Sequence, residues 1–101
     1  EGNGVVQGVK LRNVKTGQEE EMSVDGVFIF IGHYPNSKFL VGQVAMDEHG
    51  YVITDEFMRT SVTGIYAAGE IQDPHYRQIA TSVGQGVAAA MQLERWLAEQ
   101  E

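Results

Sequence analysis

The sequence predicts an α/β fold whose sheet is not completed within the chain. Three observations carry this. Two apolar runs, Val27–Ile31 (VFIFI) and Ile65–Gly69 (IYAAG), lack the alternation of a half-exposed strand and read as strands covered on both faces, as in a parallel sheet. A long amphipathic pattern from about Gln78 to Glu99 reads as one helix. The parallel neighbours and crossover helices that such strands need are not found in these 101 residues.

The elements follow in order. Val5–Val14 alternates from Val9 onward and reads as a half-buried strand. Lys15-Thr16-Gly17-Gln18 is a turn signal, and Glu19–Val24 the returning strand of a hairpin. The run Glu19-Glu20-Glu21 reads as a solvated edge, where like charge discourages pairing with other chains. Asp25-Gly26 turns the chain into Val27–Ile31. Gly32-His33-Tyr34-Pro35-Asn36 then breaks it, because Pro35 lacks an amide hydrogen and restricts its predecessor. Phe39–Val44 reads as one short helical turn, Tyr51–Thr54 as a short strand and Ile65–Gly69 as a second strand of buried character. In the final helix Ile79, Val83, Val87 and Met91 fall four apart and form the expected packing stripe, joined by Ala90, Leu93 and Leu97. Trp96 reads as a packing or subunit-contact residue. The break at Gly32–Asn36 divides two unlike halves.

Composition narrows the function. Fourteen acids against seven bases give a net charge of −7, which argues against nucleic acid or an anionic membrane as partner. No run of about 18 apolar residues appears, no signal peptide is visible, and a cytoplasmic location is the default expectation. With no cysteine, a disulfide scaffold, a thiolate metal site and a redox-active Cys-x-x-Cys on this chain are excluded. His33, His49 and His75 are scattered without a second ligand at useful spacing, so no metal site is expected.

The chemistry concentrates between Gly64 and Trp96. Ala67-Ala68-Gly69 lets backbone approach backbone or ligand closely. Glu70 follows at the carboxyl end of a strand, where open α/β sheets bind ligands. Its carboxylate is placed either to accept a ribose hydroxyl or to sit solvated in a loop. Arg77, Gln78 and Ile79 open the helix, whose free amides and positive dipole end favour negative charge. Gly84 and Gly86 lie inside the helix and are not a GxGxxG fingerprint. Each costs about 1 kcal/mol there, which suggests close packing against a sheet, a cofactor or another helix. Asp73-Pro74 reads as turn chemistry rather than half of a dyad with His75.

Together these residues resemble the low-molecular-weight thioredoxin reductases of the two-dinucleotide-binding flavoprotein family, over nearly all of the chain. GVFIFIGHYPNSKFL resembles the segment that ends the NADPH domain and crosses back to the FAD domain. TSVTGIYAAGEIQDPHYRQIATSVGQGVAAAMQLERWL resembles the segment that completes the FAD site. Residue order, spacing and the Tyr-Arg-Gln before the Gly-rich helix make the likeness specific. The chain departs from the family pattern at Glu70 (usually Asp), Ile79 (usually Ala) and Thr63 (usually Pro).

The resemblance implies a partial FAD/NAD(P)-binding fold, Rossmann-like with ββα layers. Residues 1–33 would end the NAD(P)-binding domain, and residues 34–101 would form the C-terminal part of the FAD-binding domain. It implies that Gly69 and Glu70 hold the ribityl and pyrophosphate region of FAD. Arg77, Gln78 and Ile79 would touch the isoalloxazine ring, and Gly32, His33, Pro35 and Asn36 would lie beside the nicotinamide cleft. The implied parent uses FAD and NADPH to reduce a thioredoxin-like protein disulfide and is a homodimer. Both dinucleotide fingerprints and the Cys-x-x-Cys are missing here, so no catalytic residue is assigned. The isolated chain is expected to be inactive and to bind no flavin. Two alternatives stay open: a non-enzymatic module completed by self-association or strand exchange, and a fragment of a thioredoxin-reductase-like ferredoxin–NADP reductase.

Overall fold

The computed structural model describes residues 3–101, which fall into two compact units, one ending at Gly32 and one spanning His33–Glu101. In the first, β1 (Gly8–Arg12) pairs antiparallel with β2 (Glu19–Ser23), from Gly8 opposite Ser23 to Arg12 opposite Glu19. The connecting turn is built by Asn13. Its side-chain oxygen accepts the amides of Lys15 (2.9 Å) and Thr16 (3.2 Å), and Gly17 takes φ +75°, a left-handed conformation that favours glycine. Lys10 pairs with Glu19 at 2.8 Å across the hairpin. Gly8 has its own reason to be glycine, because a Cβ there would lie 2.9 Å from the Met22 carbonyl oxygen. The expected hairpin is present, with a first strand shorter than Val5–Val14.

The expected strand Val27–Ile31 is not a strand. It joins no ladder and stays exposed, Phe28 at 84% and Ile31 at 94%. A continuous apolar run becomes a buried strand only against a partner edge and a cover on each face, and none is offered among the described residues. The Phe28 and Phe30 rings stack on one another instead, centroids 6.3 Å apart.

In the second unit, short loops are tied together beside α1 (Ile79–Gln100). Two isolated antiparallel bridges, Met46 with Val52 and Arg59 with Tyr66, stand where Tyr51–Thr54 and Ile65–Gly69 were expected as strands. The second run is also cut short, because Gly69 opens a 3-10 turn, Gly69–Ile71. Another 3-10 turn, Lys38–Leu40, answers the short helical turn expected after Phe39. Backbone bonds cross-link the loops, from the Val52 amide to the Ile71 carbonyl (2.9 Å) and from the Ala67 amide to the Met58 carbonyl (3.0 Å). Among the described residues the buried apolar ones are few: Val44, Tyr51, Val52 and Ala89. No described helix is long and apolar enough to cross a membrane.

The start and length of α1 follow the sequence pattern closely. Gln78 is its N-cap in extended conformation (φ −118°, ψ 149°), and the Thr81 hydroxyl accepts the Gln78 amide at 3.3 Å, relieving one of the donors a helix start leaves unpaired. The packing face is not the expected one. Ile79 is 85% exposed and Val83 62%, and Val87 and Met91 are exposed with them. The helix meets the loops through Ser82, Gln85, Ala89 and Trp96 instead. A hydrophobic stripe marks the face with the most to gain from burial. The more polar face packs here because the loops present amides and carboxylates that need partners.

Candidate functional site

The site is assembled in the second unit from the Gly69 turn and the start of α1. Gly69 is buried and left-handed, φ +80°. A Cβ added to it would meet Ser82 Oγ at 3.3 Å and Ser82 Cβ at 3.4 Å. The close backbone approach expected of Gly69 is thus made to α1 itself. Its amide donates to Gln85 Oε1 at 2.9 Å. Glu70 follows on the exposed side, and its side chain makes no hydrogen bond or ion pair among the described residues.

Between turn and helix lies Asp73, only 5% exposed. Its Oδ1 accepts the amides of His75 (2.8 Å) and Tyr76 (3.0 Å), and its Oδ2 accepts the amide of Arg77 (3.4 Å) and Gln85 Nε2 (3.4 Å). Arg77, held at the end of this loop, is left-handed at φ 49°. For a residue with a full side chain that conformation is strained and persists only where the surroundings impose it. Gln85 closes the arrangement. Its Oε1 also accepts Gln72 Nε2 at 2.8 Å, and Gln72 Oε1 accepts the Thr54 hydroxyl at 3.0 Å.

Five of the nine residues singled out from the sequence are therefore close along one loop-and-helix corner, Gly69, Glu70, Arg77, Gln78 and Ile79, while Pro35 and Asn36 lie earlier in the second unit. His33 opens the second unit, exposed and without a hydrogen bond among the described residues, and Gly32 belongs to the first unit. The close packing expected at Gly84 and Gly86 is not there, since a Cβ at either would meet nothing within 4 Å. Gln85, between them, is the residue that touches the turn. Gln85 is not among the residues the sequence singles out, and Asp73, read as turn chemistry, does accept the amides two and three residues on but also reaches the helix. The available signal was an Asp four residues before Arg77, with donors and no helix between.

Asp73 and a second loop carboxylate set an acid limit on this unit. Burial pushes the Asp73 carboxyl up, but the amides of Tyr76, His75 and Arg77 and the Gln85 side chain outweigh it and hold it below the ordinary aspartate value. Desolvation likewise raises Asp55, and the Arg59 amide and guanidinium together with the Phe57 amide bring it down. A carboxyl with a lowered folded pKa stabilises the fold while ionised. That contribution is complete above the unfolded value of about 3.9 and is lost as pH falls through the folded value. The amide resonances of His75 and Tyr76 are expected to titrate together with a midpoint below about 3.9. A midpoint at or above it would show that the carboxylate is not held by these amides.

Residues 1–86 match the family model described as pyridine nucleotide-disulphide oxidoreductase. The chain belongs to that family. Within the pyridine nucleotide-disulphide oxidoreductases it is similar to the thioredoxin reductase of Mycolicibacterium smegmatis, 47% identical over all of this chain and 33% of that protein. It is also similar to that of Chlamydia pneumoniae, 45% identical over 95% of this chain and 31% of the relative. Among solved structures, Lactococcus lactis thioredoxin reductase in its FR conformation superposes with a TM-score of 0.80 at 40% identity, over 92% of this chain and 31% of that one. The T. acidophilum thioredoxin reductase gives 0.78 at 44% identity, over 86% and 29%. The chain spans about a third of the length of the relatives it matches.

Proposed function

We propose that this chain is the C-terminal third of an FAD- and NADPH-dependent disulfide reductase of the thioredoxin reductase type, and that its second unit supplies one wall of the flavin site. The observation that carries the reading is the Gly69–Ile79 corner. There a left-handed glycine, an exposed acid and the amides of a helix start meet within one hydrogen-bonded loop. These residues fit part of a flavin site. Gly69 lets the turn close against Ser82 of the helix start, Glu70 offers a carboxylate to ribityl hydroxyls, and Gln78 both donates and accepts at a heterocycle edge. The amides of Ile79 and Ala80 and the helix dipole favour negative charge. Bound flavin would carry two electrons from a nicotinamide to a disulfide, and no residue here serves as redox nucleophile. In the same reading the first unit ends the NADPH domain, and the Gly32–Asn36 segment lies beside the nicotinamide cleft.

Alone, the chain lacks the phosphate-binding turn of a first βαβ unit and is expected to come off a desalting column colourless after incubation with FAD. Co-expressed with the N-terminal two-thirds of the M. smegmatis relative, it is expected to retain a visible flavin band and support NADPH-dependent disulfide reduction. A co-purified but colourless complex would sink the assignment.

A second reading is favoured by the bare apolar surfaces, Val27–Ile31 and the Ile79–Met91 stripe. In it the chain self-associates through them and acts as a non-enzymatic module. A chain that stays monomeric in light scattering across a range of concentrations would remove this second reading.

A further inference from the structure

Two stretches of the candidate corner, Gly69-Glu70 and Arg77-Gln78, are separated by a loop with no regular structure after Ile71. Loops of this kind are ordinarily the variable part of a fold. Here, four hydrogen bonds converge on the carboxylate of Asp73, and one helix residue, Gln85, bonds both the Gly69 turn and Asp73 at once. The backbone adds a further tie, from the Asp73 amide to the Gly69 carbonyl at 3.0 Å. The left-handed Arg77 sits at the end of this set, directly before the N-cap.

We propose that Asp73 and Gln85 form a clasp that couples the Gly69 turn to the Arg77–Gln78 helix start, with Asp73 the positioning residue that imposes the left-handed turn at Arg77. The chemistry of the clasp is directional. Oδ2 of Asp73 must accept, because both groups facing it, the Arg77 amide and Gln85 Nε2, are donors. Oε1 of Gln85 must accept, because the Gly69 amide and Gln72 Nε2 are donors. The side-chain amide of Gln85 is thus locked in one orientation by donors on one side and a carboxylate on the other. The corner is set before any ligand arrives, which is what a planar cofactor needs from a wall built on a loop. The inference rests on reading this corner as a cofactor wall, but the clasp itself is measurable with no cofactor present.

The test is a double-variant cycle in the 101-residue chain, read by amide hydrogen exchange at Gly69, His75 and Tyr76. Asp73→Asn places an NH2 group against two donors. Gln85→Glu places a carboxylate against a carboxylate. When the two substitutions are combined, the new side-chain amide at position 73 donates to the new carboxylate at position 85, so the contact between the two side chains re-forms with its polarity reversed, while the Arg77 amide alone stays without its acceptor. Each single variant is expected to raise exchange roughly tenfold at all three amides, including those on the far side of the clasp, the size of one lost hydrogen bond. The double variant is expected to return Gly69, His75 and Tyr76 to within about threefold of the parent chain. Effects confined to each residue's own amide partners and additive in the double variant would overturn the clasp and leave an ordinary Asp turn beside an unrelated glutamine. Solvent-level exchange at these amides in the parent chain would overturn it as well. Failure of flavin retention leaves these readouts untouched, so the two ideas fail separately.

Discussion

Gly69→Val is expected to unfold the second unit or bring it to the edge of unfolding. The native φ of +80° is closed to a β-branched residue, and the added atoms would press into Ser82, whose Oγ already stands 3.3 Å from the position of a Cβ. Strain of this kind and overpacking together cost about 2–4 kcal/mol. Few residues are available to absorb it, since the buried apolar set is Val44, Tyr51, Val52 and Ala89. Urea unfolding followed by far-ultraviolet circular dichroism reads the effect directly. Gly84→Ala is the control: Gly84 lies in α1 with nothing within 4 Å of an added Cβ, and the substitution is expected to stabilise by a few tenths up to about 1 kcal/mol through helix propensity. If Gly69→Val and Gly84→Ala unfold at the same urea concentration, the close approach at Gly69 is wrong.

The second large effect concerns association. Val83 and Val87 lie one turn apart on the exposed stripe of α1, between Ile79 and Met91. Changing both to Asp removes no buried contact, so helix content is expected to hold. The cost is limited to about 0.2–0.5 kcal/mol for the pair, because valine and aspartate have similar helix propensity and only the i,i+4 repulsion is added. The apparent mass is expected to change much more. A contiguous apolar face of this kind is normally covered, and at micromolar concentration the parent chain should scatter light as an oligomer while the double variant scatters as a monomer. A parent chain that is monomeric across a roughly hundredfold concentration range would remove the self-associating module from consideration.

The candidate site was legible in the sequence to the extent that its residues are adjacent along the chain. Gly69-Glu70 and Arg77-Gln78-Ile79 stand within one eleven-residue stretch, and the helix start after them has its own local signal in Thr81. Gly32 and His33 are distant in sequence, and nothing in a local pattern says which unit each joins. Gln85 was invisible for another reason. A glutamine between two glycines in a helix carries no periodic signal, and its partners lie 12 to 16 residues away.

Local sequence was enough to place the hairpin, its turn through Lys15–Gln18 and the limits of α1 to within a residue. Each depends on interactions within a few residues: cross-strand pairing over a short loop, glycine at positive φ, a cap and a helical repeat. Which face of α1 packs, and whether the two apolar runs become strands, was settled by tertiary context. Both outcomes depend on what stands opposite. Val27–Ile31 and Ile65–Gly69 have the composition of central strands, but a ladder is a property of two edges, and one edge cannot pair alone. The helix likewise turned Ser82, Gln85, Ala89 and Trp96 inward rather than its apolar stripe. The loops beside it offered hydrogen bonds to be completed, whereas nothing apolar within the second unit stood opposite Ile79, Val83, Val87 and Met91 to receive them.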